Sequence, residues 1–106
     1  MNKEREKIKT TRRWVIKIGS ALITDNGCGL KHDVLDNWVG QISTLNERGI
    51  DIVIVSSGAV AEGLTRLGWK DRPNIISKLQ AAAAVGQMGL IQAYEVCFQK
   101  YNKHTA

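Results

Sequence analysis

The sequence predicts an α/β fold organised around a parallel sheet. Two observations carry this. Ile50–Val55, IDIVIV, is a nearly continuous β-branched run, the composition of a parallel strand covered on both faces. The segment before it, Asp33–Arg48, has a different period: Val34, Leu35, Trp38, Val39, Ile42 and Leu45 share one face of a helix. A second short strand, Trp14–Ile18, precedes that helix, so the order strand, helix, strand describes a βαβ unit.

The elements follow in order. Residues 1–13, MNKEREKIKTTRR, hold six of the fifteen Lys and Arg but two of the ten acids, and read as a basic, flexible, solvated tail. Trp14–Ile18 is rich in β-branched and aromatic side chains and stops at Gly19. Residues 19–30 read as a loop with a turn at Asn26-Gly27. The first long helix is expected to start with Asp33 as its N-cap and to stop at Gly49. After the second strand, Ser56-Ser57-Gly58 leads into a short helix, Ala59–Leu67. Residues 68–73 form a loop. A long helix covers about 74–101, with a bend expected near Gly86–Gly89. The stripe Leu90, Tyr94, Cys97, Tyr101 reads as core or subunit interface, and the small residues Ala81–Ala84 permit close helix packing.

Composition excludes several classes. The 43% hydrophobic content is that of a globular chain. The basic excess of +5 is concentrated in the tail, which leaves the rest nearly neutral and argues against nucleic acid as a partner. No apolar run is long enough to cross a membrane, and the amino terminus lacks the apolar stretch of a secretory signal. Cys28 and Cys97 make no disulfide framework and read as reduced thiols of a cytoplasmic protein. The pairs Cys28/His32 and Cys97/His104 lack zinc-site spacing. There is no P-loop pattern, no dinucleotide fingerprint and no nucleophile elbow. Two parallel strands cannot make a stable sheet alone, so these residues are expected to be the front part of a longer domain.

Two places can carry chemistry. Alternation puts Val15, Lys17 and Gly19 on one face of the first strand. Lys17 is either an edge-strand lysine reaching for water or, with Gly19-Ser20 immediately after it, a cation beside loop amides that bind a phosphate. Ser56-Ser57-Gly58 either caps the helix after it or places a helix amino terminus against an anion. In an open α/β sheet, ligands bind beyond the carboxyl ends of the strands, where both loops belong.

Three blocks, "WVIKIGSALIT", "IDIVIVSSGAVAEGLTRLGW" and "KLQAAAAVGQMGLIQAYE", together resemble the amino-terminal part of the amino acid kinase family, in its branch acting on glutamate. The resemblance covers residues 14–106. It implies a three-layer αβα sandwich and a homo-oligomer. It implies transfer of a phosphoryl group from ATP, with Mg2+, to the γ-carboxylate of L-glutamate, the first step of proline synthesis. Lys17, Gly19 and Ser20 match the positions around the ATP phosphates, with Lys17 catalytic; Ser57 and Gly58 match positions that bind glutamate. Proline is implied as a feedback inhibitor. The family's adenine pocket and second phosphate-binding lysine come later than residue 106, so residues 1–106 alone are expected to be inactive. Other members acting on N-acetylglutamate, aspartate or uridylate, and a non-catalytic oligomerising fragment, are the alternative readings.

Overall fold

The computed structural model describes residues 3–24 and 29–105; the expected turn at Asn26-Gly27 and the thiol of Cys28 lie outside them. Seven elements follow one another: α1 (Lys3–Thr10), β1 (Arg13–Ile18), α2 (Ser20–Ile23), α3 (His32–Glu47), β2 (Asp51–Ser56), α4 (Ala59–Leu67) and α5 (Ile76–Gln99).

β1 and β2 pair in parallel, in a register that sets Lys17 opposite Val55 and Ile18 opposite Ser56. One face of this sheet is apolar and covered. Ile16, Ile18, Ile52 and Ile54 pack with Leu35, Val39 and Ile42 of α3 and with Leu90, Tyr94, Cys97 and Phe98 of α5. Each fully buried aliphatic side chain in such a cluster contributes roughly 1.5–3 kcal/mol of transfer free energy. The other face carries Val15, Lys17, Val53 and Val55, and all four are exposed. The parallel sheet is as expected, but β2 is not covered on both faces: Val53 and Val55 are each 47% exposed. Among the described residues, α3 and α5 both cover the same face of the sheet.

Several boundaries differ from the sequence reading for local reasons. The basic segment contains α1, because KEREKIKT consists mainly of good helix formers, with acids in the first turn and lysines in the last. None of its residues is buried. The loop after β1 includes the single turn α2, closed by Thr24, whose amide and hydroxyl both donate to the Ser20 carbonyl. An antiparallel bridge joins Thr24 to Leu30. The amide of Lys31 donates to the Ile23 carbonyl at 2.7 Å, which fixes the cap of α3 two residues earlier than expected. Lys31 is therefore the N-cap, and Asp33 sits in the first turn, where its charge still favours the helix dipole. Gly49 follows α3 with φ +89, as expected of a glycine stop.

The expected bend at Gly86–Gly89 is not a break: α5 runs as one helix from Ile76 to Gln99. These glycines instead allow close packing. A Cβ on Gly86 would fall on the carbonyl of Ala59, and one on Gly63 of α4 would fall on the carbonyl of Ala82. The Ala81–Ala84 run contributes through Ala82, which is fully buried. Of the expected stripe, Leu90, Tyr94 and Cys97 lie on α5 and belong to the core, whereas Tyr101 falls in the turn after α5 ends at Gln99 and is exposed.

After α5 the chain is tied back by one carboxylate. Glu95 accepts from the amide and hydroxyl of Thr105 at 2.8 and 2.7 Å, and lies 3.1 Å from His104 Nδ1. The hydroxyl of Thr105, its amide and His104 together lower the Glu95 pKa from 4.5 to about 2. A carboxylate with a depressed folded pKa holds its partners above its ordinary pKa and releases them as pH falls toward the folded value. Thr105 should therefore show amide-exchange protection above pH 4.5 and lose it between 4.5 and about 2, while Glu95→Gln should remove the pH dependence.

Candidate active site

The two loops expected to carry chemistry meet at the carboxyl ends of the paired strands. The Ser57 amide donates to the Ile18 carbonyl at 2.9 Å, continuing the ladder one step beyond β2. Gly19 and Ser57 thus leave the sheet side by side. Lys17 is exposed, and forms no hydrogen bond or ion pair among the described residues. It lies on the face of β1 opposite the helices, across from Val55 and two residues before the loop. Ser20 begins α2 and is exposed, with its carbonyl engaged by Thr24.

The backbone of each loop has a distinct logic. Gly19 has φ −74 and ψ 153, which any residue adopts, and a Cβ there would meet nothing within 4 Å. Neither conformation nor packing requires glycine at this position. Its effect is to leave the rim clear beside the lysine. Gly58 is different. It has φ +113, and a Cβ would sit at ordinary contact distances of 3.5–3.8 Å from Ile23, Thr24 and Leu30, so only its conformation calls for glycine.

Strand alternation separates the two serines. Ser56 faces the helices, where its hydroxyl lies 2.8 Å from the Tyr94 hydroxyl and donates to the Ser57 carbonyl at 3.0 Å. Ser57 is exposed. Neither serine caps α4, contrary to one sequence reading: the N-cap is Gly58, and no side chain bonds the first-turn amides. These amides remain a cluster of positive partial charge beside the rim.

The sequence reads Tyr94 as core or subunit interface, and the structure buries it in the core. The missed signal is its hydroxyl, since a buried tyrosine requires a partner for its polar end. Burial pushes its pKa up, and the bond with Ser56 only partly offsets this. A groove of about 390 Å3, lined by Ile52, Ile54, Ser56, Tyr94, Phe98 and Thr105 among others, runs along the helix side of β2. Lys17, Gly19, Ser20, Ser57 and Gly58 do not line it. The candidate site is an open rim on this chain, not that groove.

The profile of the amino acid kinase family matches residues 12–106. The chain belongs to the amino acid kinase family. Among curated proteins it is similar to glutamate 5-kinases. That of Hahella chejuensis is 57% identical over 102 residues, covering 96% of this chain and 26% of the relative. That of Hydrogenovibrio crunogenus is 62% identical over 96 residues, covering 91% and 26%. That of Thioalkalivibrio sulfidiphilus is 55% identical over all 106 residues and 28% of its own length. The chain thus spans about a quarter of the length of these relatives. Among the described residues no helix is long and apolar enough to cross a membrane.

Proposed function

We propose that this chain is the amino-terminal portion of an enzyme that phosphorylates the γ-carboxylate of L-glutamate with ATP, giving L-glutamyl 5-phosphate and ADP. Residues 14–106 belong to the kinase domain, and 1–13 are an appended basic segment. The observation that carries this reading is the Ser57 amide bonded to the Ile18 carbonyl, which brings the Lys17–Ser20 and Ser57–Gly58 segments to one rim in a chain with these relatives.

The chemistry follows from charge. A carboxylate oxygen forms a bond to the terminal phosphorus of ATP, and the bond from that phosphorus to the bridging oxygen breaks, releasing ADP. Two anions must approach, and charge spreads over the phosphoryl oxygens in the transition state. Alignment and neutralisation therefore account for most of the catalysis, with no covalent nucleophile. The ammonium of Lys17 supplies a positive charge to the terminal phosphate. Gly19 and Ser20 leave room and offer polar groups beside it. Ser57 and Gly58, next to the uncapped start of α4, hold the acceptor carboxylate.

These residues fit one end of ATP only. Among the described residues no three His, Cys, Asp or Glu side chains gather to hold a metal ion, so Mg2+ is assigned no ligand from this chain. When present it would arrive on the nucleotide's phosphate oxygens. The adenine contacts come from outside these residues, and residues 1–106 alone are inactive. The exposed apolar positions Val15, Val53, Met88 and Ile91 are surface for the rest of the parent protein or for a second copy in a homo-oligomer. Proline as feedback inhibitor and a cytoplasmic location complete the reading; the buried free thiol of Cys97 accords with a reducing compartment.

The test is an ADP-release assay on the full-length parent protein with L-glutamate, N-acetylglutamate, aspartate and uridylate as acceptors. Turnover with L-glutamate above the others is the expected result. Preference for another acceptor would overturn the assignment. In cells lacking glutamate kinase, the full reading frame should restore proline-free growth and residues 1–106 should not.

A further inference from the structure

We infer that Tyr94 is a positioning residue for the acceptor carboxylate, acting through Ser56 on the Ser57–Gly58 peptide group; this rests on the function proposed above. The Ser56 hydroxyl has one proton, and it is directed at the Ser57 carbonyl. Its contact with Tyr94 at 2.8 Å is therefore one in which the tyrosine hydroxyl donates and Ser56 accepts. Tyr94 is 4% exposed and held in the core beside Leu90, Cys97 and Phe98, so its hydroxyl is a fixed point. Burial raises its pKa and keeps the donor proton in place at neutral pH.

The consequence passes through peptide geometry. In a planar trans peptide the C=O and the following N–H point in opposite directions. Holding the Ser57 carbonyl toward Ser56 turns the Gly58 N–H to the side opposite that carbonyl. That N–H makes no hydrogen bond among the described residues. Gly58 is buried, and this oriented, unused donor lies directly behind exposed Ser57, whose loop leaves the sheet next to that of Lys17. Long helix α5 thus reaches the site without touching substrate: it sets the direction of one amide in a loop that has no side-chain cap of its own.

The experiment compares Tyr94→Phe, Ser56→Ala and the double variant of the full-length protein with wild type. KM for L-glutamate should rise roughly three- to tenfold in each single variant, the range expected for one lost hydrogen bond. The double variant should be no worse than the singles, because both break the same relay. KM for ATP should stay within about twofold, since Lys17 and Gly19 are not part of the relay. A purely structural role would lower the melting temperature and leave the KM for glutamate in place. Unchanged KM for glutamate in both folded single variants, additive effects in the double, or equal rises in both KM values would overturn the inference alone. A wild-type protein that does not turn over glutamate would overturn both this inference and the function on which it rests.

Discussion

Replacing Lys17 with alanine in the full-length protein lowers kcat by roughly 10²- to 10³-fold, the loss typical of removing one preorganised charge or donor from a transition state. The melting temperature stays close to wild type. Lys17 is exposed and makes no hydrogen bond or ion pair among the described residues, so its removal leaves no buried group unsatisfied. This combination is informative because most strand substitutions behave in the opposite way. Lys17→Arg keeps the charge but exchanges a compact ammonium for a wider planar fork, and should restore only part of the rate. Steady-state kinetics with ATP and L-glutamate, alongside thermal unfolding of the same preparations, measures both sides. A Lys17→Ala protein with near-normal kcat would show that the lysine is only a solvated edge residue.

Replacing Gly63 or Gly86 with alanine destabilises the protein by about 3 kcal/mol or more, at the upper end of overpacking costs. The reason is contact with backbone. The new methyl on Gly63 would overlap the Ala82 carbonyl, and that on Gly86 the Ala59 carbonyl and the Gly63 amide. Backbone cannot rotate out of the way as a side chain can, so α4 and α5 must separate. Because Gly58 is the N-cap of α4, separation also displaces the loop proposed to bind substrate. Gly89 is the control. The nearest atoms to its added methyl are those of the Arg66 guanidinium, a side chain that is paired with Glu62 and can move. Gly89→Ala should therefore change stability by less than about 1 kcal/mol, with the better helix propensity of alanine offsetting the displaced ion pair. Urea unfolding of the three variants gives the comparison. Equal, small effects at all three positions would contradict the close backbone packing of α4 on α5.

Much of this was legible in the sequence because local pattern and tertiary structure agree. The β-branched run of β2 and the helical period of α3 point to elements of the right type, and the short helix expected at Ala59–Leu67 is α4. That the two candidate loops meet was legible for the same reason: parallel strands joined by a helix present their carboxyl ends together. The misses are positions where tertiary contacts decide. Asp33 looked like a cap, but the bond from Lys31 to Ile23 starts α3 earlier. Gly86 and Gly89 looked like a bend, since glycine weakens an isolated helix; in the folded chain they are where α4 and Arg66 approach. Ser56 looked like a cap, whereas its strand direction sends it to Tyr94. That partner is 38 residues away in sequence, and no local pattern encodes it. The α1 segment was read by charge alone, although its composition also favours a helix.

In the function proposed above, Lys17 and the Ser57–Gly58 segment hold phosphate and carboxylate side by side on one rim. A crystal structure of the full-length protein with L-glutamate and a non-hydrolysable ATP analogue tests it most directly. Lys17 Nζ should lie within hydrogen-bonding distance of the terminal phosphate, and the glutamate γ-carboxylate against Ser57 and the Gly58 amide. A nucleotide bound with its terminal phosphate away from Lys17, or glutamate seated in the groove beneath β2, would contradict it.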